Sequence, residues 1–141
     1  MSPDINYWAV LVAAVVNMVV GFMWFGPLFG KTWIKLAGLN YEHLAEGAKS
    51  GMGKKYFIAF VGSFLIALML DHAIIFSGAY LGIAGVLSGV NAGFWNWLGF
   101  FVPVTASAYL WEGKPFKLWL LNATYYLVVL VIMGAILASW L

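Results

Sequence analysis

Between Tyr7 and Phe25 the chain runs for about the thickness of a bilayer without one charged side chain. Two further runs, Tyr56 to Phe76 and Leu118 to Leu141, contain a single acidic residue, Asp71, and the whole stretch from Ser77 to Trp111 is uncharged. A soluble helix bundle needs a polar residue on every exposed helix face. With 65% hydrophobic and 9% charged residues, this chain cannot supply them. Lipid is the solvent in which such a surface is stable, and the expected fold is all-α: an integral membrane bundle of four transmembrane helices.

The spans are expected at about 6–26, 56–76, 90–110 and 118–141, in a single membrane domain covering 1–141. Gly26-Pro27 ends or kinks the first span. Leu28 to Leu36 mixes Phe29, Trp33 and Ile34 with Lys31 and Lys35, which suits a short interfacial helix after that span. In the polar loop 27–55, Asn40 can cap a short helix, with Leu39 and Leu44 spaced as a hydrophobic staple. Pro103 should bend the third span. The glycine-rich segment 77–89 is left as an outer loop, an interfacial turn or a re-entrant half-helix. The N-terminus carries no Lys or Arg ahead of its apolar run, so that run reads as a retained span and not as a cleaved signal.

Seven lysines and no arginine make up the positive charge. Lys31, Lys35, Lys49, Lys54 and Lys55 fall in the first loop, and Lys114 and Lys117 in the third. With four spans these loops share one side, which the positive-inside rule assigns to the cytoplasm, leaving both termini outside. Trp24, Trp33, Trp111 and Trp119 gather near the lysine-bearing side, and Trp8 and Trp140 near the other, as an aromatic belt requires. A nucleic-acid surface is a poor reading of lysines placed this way without arginine forks.

Polar groups within the spans are few. Counting from Lys55 at about 1.5 Å per residue places Asp71 roughly 24 Å up a 30 Å core. Counting back from Glu112 puts Asn96 at a similar height, with Asn17 nearer the middle, so Asn17, Asp71, His72 and Asn96 can form a polar layer along a ligand or ion pathway. Intramembrane ionisable groups are often functional. The favoured expectation is blander: Asp71 and His72 end the second span at headgroup level, where a modest tilt would hydrate them. An interhelical lock is the third reading.

Ala9, Ala13, Asn17 and Gly21 recur every four residues, and Gly85, Gly89 and Gly93 repeat that spacing. Small residues in such stripes let helix backbones approach closely, and an asparagine on the stripe can hydrogen-bond across it. Helix packing is therefore expected at Ala13, Gly21, Gly85, Gly89 and Gly93, within the chain or between copies.

Chemistry has little to stand on. There is no cysteine, no phosphate loop and no nucleophile elbow. His43 and His72 fall on opposite membrane faces in this topology and cannot share an ion. No catalytic residue, metal site or cofactor is expected.

Several local patterns resemble a bacterial membrane family catalogued as domain of unknown function 1761. They are Trp24-Phe25-Gly26-Pro27-Leu28-Phe29-Gly30-Lys31-Thr32-Trp33, then Trp97-Leu98-Gly99-Phe100, Trp111-Glu112-Gly113-Lys114-Pro115, Asn122 with Tyr125 or Tyr126, and Met133-Gly134-Ala135-Ile136-Leu137. The resemblance implies a small four-span protein of a bacterial inner membrane and carries no activity with it. Three functions are weighed, a membrane enzyme being the last. The leading one is a non-enzymatic bundle that works by assembly with itself or another membrane protein. The alternative is a small oligomeric transporter or channel with a polar layer near Asp71 and Asn96. An Asp71 that faces the bundle interior would favour the second.

Overall fold

The computed structural model describes residues 3–141; Met1 and Ser2, the extreme of the expected outer N-terminus, lie outside the described residues. The described chain is helical, with no strand among its elements. Helix α1 spans Tyr7–Met23, and Asn6 caps it by accepting from the backbone N–H groups of Trp8 and Ala9. It opens into a widened π-helical turn at Trp24–Leu28. Pro27 has no N–H for the ordinary helical bond, and its ring crowds the preceding turn. The ladder is relaxed by a five-residue step, Phe29 N–H to Trp24 O at 2.9 Å.

Two short helices follow, α2 at Gly30–Ala37 and α3 at Tyr41–Lys49, the latter capped by Asn40 through Glu42 N–H at 2.9 Å. Helix α4 is the longest, Met52–Leu81. Helix α5 covers Val86–Asn96 and runs into a second π-helical turn at Trp97–Phe101. Short helices α6, Val102–Thr105, and α7, Ser107–Leu110, complete that pass. Helix α8, Phe116–Ser139, is unbroken.

Three helical stretches are long and apolar enough to cross a membrane: Tyr7–Leu28, Met52–Leu81 and Phe116–Ser139, with mean hydropathies of 2.1, 2.1 and 2.2. The fourth apolar stretch differs from the single bent span expected at 90–110. It begins earlier, at Val86, and is divided by the π-turn ahead of Pro103 and again at Ala106. The segment 77–89 is neither an extended loop nor a re-entrant half-helix. Nothing in Ser77-Gly78-Ala79 stops α4, and the Ser77 hydroxyl donates back to Ile74 O at 3.1 Å, so the helix continues to Leu81. A four-residue link, 82–85, then turns directly into α5.

The result is two hairpins, each an interrupted helix followed by an unbroken one: α1 with α4, and α5–α7 with α8. The core lies where they meet. Val10, Ala13, Ala67, Leu70, Ile74, Leu130, Met133 and Leu137 are buried there. The most extensive contact is between α5 and α8.

Candidate functional site

The buried positions of α4 are Ser63, Ala67, Leu70, Asp71 and Ile74. That spacing lies along one helical face, and this face holds two interior polar stations.

The first station joins three helices. Asn17 Nδ2 on α1 donates to Ser63 Oγ on α4 at 3.0 Å, and the Tyr125 hydroxyl on α8 donates to Asn17 Oδ1 at 2.7 Å. All three side chains are buried. Gly21, one turn below Asn17, leaves room for the Tyr125 ring: a Cβ there would stand 2.9 Å from the hydroxyl. A groove of about 610 Å3 leads to this station from the lysine-bearing end, past Phe25, Trp33, Tyr56 and Tyr126, with Gly62 in its wall. Asn17 was expected from sequence; Ser63 and Tyr125 as its partners were not. The available signal was Ser63 as the only serine or threonine between Met52 and Phe76.

The second station is Asp71. It is 1% exposed, and neither carboxylate oxygen has a hydrogen-bond partner. Asp71 does not end its helix as expected: α4 runs ten residues past it, and the carboxylate is buried in the bundle. Asp71 stands about 12 Å beyond Ser63 along the helix. Ile74, one turn farther on the same face, lines a second cavity of about 720 Å3 at the lysine-free end, together with Gly78, Gly85, Ser88 and Ala138. Between the two stations the interior is dry, filled by Val10, Ala13, Ala14, Ala67 and Leu70.

The other expected members of a polar layer stay apart. His72 turns back to its own helix, Nδ1 donating to Leu68 O at 2.7 Å, and Asn96 Nδ2 donates to Ala92 O at 2.8 Å. Gly89 faces Gly134 and Gly93 faces Leu130, which registers α5 antiparallel to α8. This sets Asn96 within about one helical turn of the Asn17 level and well short of Asp71. The count back from Glu112 assumed an unbroken helix, and the interrupted α5–α7 pass does not keep that rise.

The glycine stripe is correct at two positions of three. Added Cβ atoms at Gly89 and Gly93 would meet the backbone of α8, at Gly134 and Leu130. Gly85 is not on the stripe: it precedes α5 as its cap residue with φ +75°, and a Cβ there would meet nothing within 4 Å. Ala13 is fully buried. Two further buried polar atoms, Trp24 Nε1 and Asn122 Oδ1, have no partner. Among the described residues no three His, Asp or Glu side chains gather in a way that could hold a metal ion.

Comparison with curated proteins and with solved structures gives no match. The model of one family, described as protein of unknown function (DUF1761), matches residues 8–138. That description assigns neither an activity nor a residue role. The match takes in both hairpins, the Asn17–Ser63–Tyr125 station and Asp71, and the chain therefore belongs to the DUF1761 family.

Proposed function

We propose that this protein is a small carrier or channel for protons or small monovalent cations, with Asp71 as the group that binds them. In this reading it lies in a bacterial inner membrane and crosses it four times, α5–α7 together making the third crossing. The lysine-bearing loops face the cytoplasm and both ends face outward, as the one-sided lysines support.

The observation that carries the reading is the burial of Asp71 with both oxygens unpartnered. An ionised carboxylate taken out of water costs several kcal/mol unless something matches its charge. The chain offers no Lys at that end, and the neighbouring His72 ring is turned back to Leu68 O, so in this reading the match is a proton or a cation from outside the protein. Two further features agree. Cavities approach the interior from opposite ends, with a dry layer between them. The two inward-running passes are both interrupted, near Pro27 and ahead of Pro103, and corresponding breaks in two halves are a feature of transport folds.

The assembly reading loses its main sequence support, because the close faces of Gly89 and Gly93 are already used inside the chain.

The test is flux into vesicles reconstituted with purified protein. Asp71→Asn keeps the side-chain shape and removes the charge. Wild type should dissipate an imposed proton or potassium gradient, and the variant should do so at least about ten-fold more slowly. Wild-type vesicles no leakier than empty ones, or a variant as fast as wild type, would sink the proposal.

A further inference from the structure

Helix α5 has a second face, opposite the one that packs on α8. Asn91 lies midway between Gly89 and Gly93, and at about 100° per residue its side chain points directly away from α8. It is exposed, and on the same face stand Leu87 one turn before it and Trp95 one turn after, 71% and 61% exposed.

The depth of this asparagine is set by the register of α5 on α8. With Gly89 beside Gly134 and Gly93 beside Leu130, Asn91 is level with Ile132. Ile132 is seven residues from the end of α8, about 10 Å along its axis. On the four-span reading, Asn91 is then a bare amide on the lipid face, several ångströms inside the hydrocarbon. Several other polar side chains on these helices bond to a nearby backbone carbonyl, as Ser77, Ser88, Asn96, Thr105 and Thr124 do, while Asn122 Oδ1, also unpartnered, is buried inside the bundle. Asn91 makes no such bond.

We infer that Asn91 is the centre of a homodimer interface in which the α5 helices of two copies pack against each other. The symmetry of a membrane selects a second copy as the occupant. A two-fold axis along the membrane normal leaves every residue at its own depth, so Asn91 meets Asn91. An amide carries donors and an acceptor, and two amides facing across the axis satisfy each other reciprocally. An unrelated partner would need its own polar group at that depth. Leu87 and Trp95 supply apolar contact on either side of the pair. The inference rests on the membrane reading and is independent of what Asp71 does.

The native chain has no cysteine, so single-cysteine crosslinking is unambiguous. Leu87→Cys keeps Asn91 and places a thiol near the proposed axis. In native membranes, mild oxidation should give a disulfide dimer of twice the chain mass. Val19→Cys, also exposed on the outer face of α1, should remain monomeric. Asn91→Leu, at a site where nothing inside the chain is disturbed, should weaken dimerisation on the order of three- to twenty-fold when labelled protein is diluted into lipid. A Leu87→Cys dimer yield no higher than that of Val19→Cys would overturn the interface. So would an Asn91→Leu variant that dimerises like wild type, or a Leu87→Cys adduct with a different protein.

Discussion

At Tyr125 one hydroxyl holds α8 against α1, and through Asn17 it also reaches α4. Each of the three buried groups in that station satisfies another, so removing one leaves its neighbour short. Tyr125→Phe keeps the ring packing against Phe25 and Trp24 and deletes only the bond to Asn17. It should cost about 0.5–1.5 kcal/mol of unfolding free energy, read from denaturation in mixed micelles. Asn17→Val should cost more, since it strands both Ser63 and Tyr125. Asn17 was legible as an interior polar group because amides are rare in an apolar run. Its partners were not legible, because a serine and a tyrosine on distant helices carry no local mark of meeting. Asp71 shows the same limit. Its charge was plain, but its burial depends on α4 continuing to Leu81, which no residue near Asp71 announces.

At the scale of helices, glycines do two different jobs, and spacing alone could not separate them. Gly89 and Gly93 let α5 lie directly on the α8 backbone, whereas Gly85, in the same four-residue series, turns the chain into α5. A single added methyl distinguishes them. A Cβ at Gly89 would overlap the Gly134 carbonyl, so Gly89→Ala should separate the helices and cost about 1–3 kcal/mol or more. Gly62→Ala meets open space within 4 Å and should leave stability within about 0.5 kcal/mol of wild type. Thermal denaturation of the two variants side by side makes the comparison. Pro27 and Pro103 were readable as points of bending, and the structure adds how the strain is absorbed: a widened turn at or just ahead of each proline.

For the whole molecule, apolar run length and lysine placement carried most of what sequence could say. Three helical stretches of spanning length follow from composition alone. The segment α5–α7 was legible as apolar but not as interrupted, since Pro103 marks a bend and nothing comparable marks the second break at Ala106. Orientation has its own test in the cysteine-free chain. Ser50→Cys, in the lysine-rich loop, should resist an impermeant thiol reagent applied to intact cells, and Ser139→Cys, at the exposed end of α8, should react. Labelling of Ser50→Cys from outside would reverse the topology.

The backbone contact between Gly89 and Gly134 also has a mechanical meaning. Two helices whose main chains touch have no side-chain layer to shear, so α5 and α8 behave as one stiff plate. The α1–α4 seam, closed by side chains such as Asn17 and Ser63, is compliant by comparison. A displacement applied at the lysine-free end of α5 is therefore expected to pass along the plate until it meets the loosened turn at Trp97–Phe101, where the ladder can give. The two helices then make a rigid arm with a softer joint partway down the bundle, and the expected large motions are a hinge there or a slip along the α4 face that carries Ser63 and Asp71.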